Sequence, residues 1–127
     1  MVAYLDARDP EHEAVAGRLD SFKGRLISSS AVVTEAMHFV SAGLMGPRLL
    51  ADFLAANVEI YDLTRPPELL EIVTIMEKYR DLPMDFADGT LVLLGDALGV
   101  PDVLTLDLRG FSVYRTRRGR AFRLVLP

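Results

Sequence analysis

Arg25-Leu26-Ile27-Ser28-Ser29-Ser30-Ala31-Val32-Val33-Thr34-Glu35 passes from a short apolar segment, through three serines, into a run with Val32, Ala36, Phe39 and Val40 on one side. The apolar start reads as a buried strand over 25–29. The serines are helix caps, because a hydroxyl oxygen at that position accepts from a free N–H of the first turn. The run over 31–44 reads as a helix ended by Gly43 and Gly46-Pro47. A strand feeding directly into a helix is the repeating unit of α/β folds, and the pattern recurs outward from this stretch.

Downstream, 48–56 reads as a helix (Leu49, Leu50, Phe53, Leu54) and Val58-Glu59-Ile60-Tyr61 opens a strand over 58–62. Pro66-Pro67 suits the first turn of the next helix, lined by Leu69, Ile72, Val73, Met76 and Tyr79. After Pro83, residues 85–98 form a nearly all-apolar helix, the pattern of an element buried on most sides. Gly99 caps it, and 102–106 reads as a buried strand. Phe111–Tyr114 and Ala121–Leu126 read as two further strands around a turn at 117–119. Upstream, Val15, Leu19 and Phe22 mark a helix over 12–22. The expectation is one α/β domain with a mainly parallel sheet, whose ligands sit beyond the carboxyl ends of the strands.

Composition narrows the chemistry. The chain has 127 residues, about one domain, with 50% hydrophobic and 25% charged residues, which excludes a disordered segment. It has no cysteine, excluding disulfides, thiolate zinc sites and Cys nucleophiles. His12 and His38 are too few for a His-rich metal site. No apolar stretch approaches a membrane span, and Asp6, Arg8 and Asp9 interrupt the apolar start too early for a signal peptide. A cytoplasmic protein is therefore expected. All 18 Asp and Glu precede residue 108, whereas 6 of the 14 Lys and Arg lie in 108–127. A basic tail on an acidic body is either an electrostatic footprint for nucleic acid or a solvated hairpin.

Carboxylates gather at the predicted strand ends. Asp107 follows the strand over 102–106, Glu35 lies in the first turns of its helix, and Asp85 and Asp88, i and i+3, share a face at the start of the buried helix. Oxygen ligands without His or Cys suit a hard cation, Mg²⁺ or Mn²⁺, and such ions serve phosphodiester hydrolysis. Each acid also has a purely structural reading. Asp85 is a natural N-cap with Asp88 favouring the helix dipole, Glu35 could pair an arginine, and Asp107 could begin a turn before Gly110. A phosphoacceptor receiver domain would need a late lysine, and none follows Lys78.

The chain resembles the PIN-domain family, nucleases that include the toxins of VapBC-type toxin–antitoxin pairs. The resemblance is carried by residues 30–35, by Leu82-Pro83-Met84-Asp85-Phe86-Ala87-Asp88-Gly89-Thr90-Leu91-Val92, and by Val103-Leu104-Thr105-Leu106-Asp107 with 111–115. It implies a three-layer fold with helices flanking a sheet of order 3-2-1-4-5. It also implies an endoribonuclease with Glu35, Asp88 and Asp107 as catalytic acids. Those three, with Asp85, would hold Mg²⁺ or Mn²⁺. Thr105 would be a hydroxyl at the site edge. Apart from the resemblance, Arg115, Arg117 and Arg118 of the basic tail either contact RNA phosphates or only decorate a hairpin. A small antitoxin partner and a homodimer follow from the family alone. The family's first, central strand ends in a ligand Asp, and Met1–Leu5 matches the entry to the helix after it. The expectation is therefore a domain truncated at its N-terminus, lacking that strand, with Asp6 and Asp9 in a later loop and not among the ligands. The alternative is a catalytically degenerate PIN fold that binds RNA or protein.

Overall fold

A computed structural model describes residues 2–5, 24–82, 84–100, 102–104, 113–115, 119 and 121–125. Five strands form one sheet: β1 (Val2–Leu5), β2 (Arg25–Ser29), β3 (Val58–Tyr61), β4 (Asp102–Leu104) and β5 (Arg123–Val125). Four described helices accompany them: α1 (Ser30–Val40), α2 (Gly46–Asn57), α3 (Pro66–Lys78) and α4 (Phe86–Leu98). The sheet order is β3-β2-β1-β4-β5, and every pairing is parallel.

The centre of the sheet overturns one expectation. Val2–Leu5 is the central strand, not the entry to a helix. Ala3 pairs with Leu26 on one side, and Tyr4 with Val103 on the other. A four-residue apolar run fits a buried strand as well as a helix end, and no periodicity separates the two. Two parallel ladders, one on each edge of Val2–Leu5, make the choice. The position that the sequence reading left empty is thus filled, and the 3-2-1-4-5 order holds with it.

Successive side chains of β2 explain the layers. Leu26 and Ile27 are both buried but point to opposite faces. Leu26 joins Ala36, Leu50 and Leu54 under α1 and α2. Ile27 joins Ile72, Leu91, Val92, Leu94 and Tyr114 under α3 and α4. Every residue from Ala87 to Gly95 is buried, as the apolar sequence of α4 requires.

Helix ends follow local chemistry. α1 stops at Val40, short of the expected Leu44, where Ser41 Oγ donates to His38 O and Gly43 N–H to Val40 O. Gly46 lets α2 start against that end: a Cβ there would lie 2.4 Å from Val40 O. Prolines occupy the first turn of α3, as read from the sequence.

The tail differs from a simple hairpin. An isolated antiparallel bridge joins Arg115 and Ala121, but Val113 and Tyr114 are not in a strand, and β5 then turns to pair in parallel with β4. Asp102, 5% exposed at the start of β4, pairs across that ladder with Arg123, whose Nη2 donates to Oδ2 at 2.7 Å. This carboxylate raises the Arg123 pKa, first through the hydrogen bond and then through charge. A hydrophobic pattern alone does not show whether the last strand pairs with its neighbour in sequence or with the sheet edge. The predicted helix over 12–22 and residues Phe111 and Ser112 lie outside the described residues.

Candidate metal centre at the strand ends

The chain winds from β1 through β2 to β3 on one side, then places β4 and β5 on the other. The strand order therefore reverses at β1 and β4. Open parallel sheets bind ligands in the crevice beyond the carboxyl ends at such a point. Side chains reaching that edge come from the helices that start there.

α1 is the first. Ser29, the last residue of β2, is its N-cap and accepts from Val32 N–H at 3.3 Å. Six residues beyond the cap, Glu35 is half-buried, next to the wholly buried Ala36. α4 is the second, and two contacts fix its direction. Near its start, Thr90 Oγ1 lies 2.7 Å from Ser29 Oγ at the end of β2. Near its finish, a Cβ on Gly95 would fall 2.6 Å from the ring of Phe122, just before β5 begins. α4 thus runs against the strands, with its N-terminus at their carboxyl ends.

That N-terminus carries Asp85 and Asp88 in a reciprocal capping box. Asp85 Oδ1 accepts from Asp88 N–H at 2.8 Å, and Asp88 Oδ2 accepts from Asp85 N–H at 3.1 Å. The i, i+3 spacing that the sequence offered as a ligand pair is thus also a helix cap. Asp88 is 3% exposed, a buried carboxylate of the kind that needs compensation by polar groups or a cation. Carboxylate oxygens, which Asp88 and Glu35 both carry, are the ligand type that a hard divalent ion takes. Among the described residues, no three His, Cys, Asp or Glu side chains gather into an ion-binding group. Asp107 and Thr105 lie outside the described residues, as do Arg117 and Arg118.

Arg115 lies in a groove beside α3 and α4. Its Nη1 donates to the carbonyls of Val113 and Tyr114, and its N–H donates to Tyr79 Oη. It lines a groove of about 220 Å³ with Tyr79, Lys78 and Asp96. Asp96 is eight residues past Asp88, roughly 12 Å further along α4 at a helix's rise per residue.

One acid expected in a later loop, and not among the ligands, becomes a candidate. With Val2–Leu5 as the central strand, Asp6 is the residue that follows it in the chain. The signal is four apolar residues and then an acid, a pattern that a helix entry fits equally well.

A doubly wound parallel sheet in this order, with acids on the helices that begin at its carboxyl edge, is the architecture of PIN domains. No family model matches the chain. Over 127 residues it is 31% identical to Ribonuclease VapC26 of Mycobacterium tuberculosis (strain ATCC 25618 / H37Rv), a match covering 98% of this chain and 94% of that protein. The chain belongs to the VapC-type PIN-domain family.

Proposed function

We propose that the chain is a Mg²⁺- or Mn²⁺-dependent ribonuclease, the toxin of a toxin–antitoxin pair. The observation that carries this reading is the buried carboxylate of Asp88 at the carboxyl edge of the sheet, in a chain similar over its length to a ribonuclease. Glu35, Asp88 and Asp107 would hold the ion, and Asp6 joins them as the acid that follows the central strand. Asp85 serves chiefly to fix Asp88 through the capping box. When bound, the cation supplies positive charge against the phosphoryl oxygens and makes water more acidic.

The chain's own groups set the rest. Clustered carboxylates repel a phosphodiester, so RNA enters only when their charge is balanced. The N-terminus of α4 brings the positive end of a helix dipole to the same edge, a field that offsets part of the carboxylates' repulsion of phosphate. Thr105, Arg117 and Arg118 would hold the RNA backbone. Arg115, tied to carbonyls in its groove, would brace the tail that carries them. A small antitoxin would close the site, and the working form would be a cytoplasmic homodimer.

The alternative, a degenerate RNA- or protein-binding module, rests on an absent ligand Asp after the central strand; with Val2–Leu5 as that strand, the acid next in sequence, Asp6, supports the nuclease reading instead. Incubation with fluorescent single-stranded RNA separates the readings. Cleavage in Mg²⁺ or Mn²⁺ that stops in EDTA is the expected result. RNA binding without cleavage in either ion would establish the degenerate module instead.

A further inference from the structure

Ser29 and Thr90 are both wholly buried, yet each carries a hydroxyl. Counting protons fixes the direction of their bond. Thr90 Oγ1 donates its proton to Ala87 O at 2.6 Å within α4. Ser29 Oγ already accepts the Val32 N–H that starts α1. Ser29 must therefore donate to Thr90 across the 2.7 Å contact. The result is one directed chain: Val32 N–H to Ser29, Ser29 to Thr90, Thr90 to Ala87 O. It ties the first turn of α1 to the first turns of α4. Glu35 rides on one helix, and Asp88, between Ala87 and Thr90 in sequence, on the other.

Packing alone does not demand this chain. Apolar side chains of the same shape would fill the space, and a pair of buried hydroxyls is neutral at best when compared with them. What the pair adds is direction. A donor–acceptor chain has one low-energy geometry, whereas apolar contacts let two helices slide by fractions of an ångström.

We infer that Ser29 and Thr90 are positioning residues, which set the spacing between the carboxylates of Glu35 and Asp88 so that both reach one divalent ion. The inference rests on the nuclease reading above and adds to it two residues that touch neither ion nor RNA.

The test measures Mn²⁺ affinity by electron paramagnetic resonance and steady-state RNA cleavage, at a temperature where every variant is folded by circular dichroism. Thr90→Val keeps shape and removes the hydroxyl, and Ser29→Ala breaks the chain from the other end. Thr90→Ser restores the hydroxyl. Leu54→Ala, in the opposite core layer, controls for lost stability. Thr90→Val and Ser29→Ala are expected to weaken Mn²⁺ binding roughly tenfold, as loss of supporting groups around a metal does. The value of kcat should fall in parallel, with KM for RNA held. Thr90→Ser and Leu54→Ala should stay within about twofold of wild type on the same scale. Wild-type affinity in Thr90→Val, or equal weakening in Leu54→Ala, would overturn the positioning role alone. A wild-type chain that takes up no Mn²⁺ would overturn the nuclease reading itself, and the positioning role with it.

Discussion

Asp85 and Asp88 hold each other's backbone: each carboxylate accepts the other residue's N–H, at 2.8 and 3.1 Å. The cap and the acid at the strand ends are therefore one structure. Asp88 is held by the turn that it helps to form, with Oδ2 engaged by the Asp85 N–H.

Stability and function separate at Asp88. Asp88→Asn keeps a side-chain oxygen for the Asp85 N–H, so thermal unfolding should shift by less than about 3 °C. It removes the charge that a divalent ion needs. Cleavage of RNA should drop by more than the roughly 10–100-fold typical of groups that only support a metal site. A large melting shift with activity retained would contradict this division.

Asp85→Ala deletes the cap acceptor and leaves Asp88 N–H without it. The expected cost is about 1 kcal/mol, read as a lower urea midpoint with unchanged slope. Asp85→Asn, which keeps an oxygen acceptor, should recover most of it.

Much of the fold could be read in the sequence because local chemistry decides it. The nearly all-apolar run after Asp85, the serines at the start of α1 and the prolines in the first turn of α3 each name their element without reference to the rest of the chain. β1 could not be read this way, since four apolar residues become a strand only when both neighbours pair with them. The same holds for β5, whose partner is β4 and not the segment across the turn. For the candidate site, residue type and helix phase are enough to nominate the acids on α1 and α4. The Ser29–Thr90 contact joins residues 61 apart, and no local pattern announces it.

Gly89 sits beside Asp88 where α4 crosses α3. A Cβ there would lie 2.8 Å from Ile72 Cγ2, on a side chain with no exposed surface into which it can move. Ala favours a helix over Gly by up to about 1 kcal/mol, but overpacking a closed core costs about 1–3 kcal/mol. Gly89→Ala should thus be destabilising on balance, by about 1–2 kcal/mol in chemical denaturation. A more stable variant would show that the two helices are less closely packed than described.

The edge strand β3 is joined to β2 by a two-pronged pair in which Arg25 Nε and Nη2 donate to the Glu59 carboxylate, both at 2.9 Å. Those hydrogen bonds from Arg25 lower the Glu59 pKa below the usual glutamate range. A carboxylate whose pKa is lower when folded stabilises above its unfolded pKa and loses that contribution as pH falls through the folded value. The melting difference between wild type and Glu59→Gln should therefore be present at neutral pH and shrink below about pH 4. Because the pair is exposed, salt should also shrink it. A difference that grows on acidification would refute the assignment.

The central claim is that acids from separate elements share one divalent ion, and Mn²⁺ titration followed by electron paramagnetic resonance tests it most directly. Wild type should take up Mn²⁺ stoichiometrically, and Glu35→Gln and Asp88→Asn should each weaken the same site severalfold or more. Uptake in both variants indistinguishable from wild type would contradict the account.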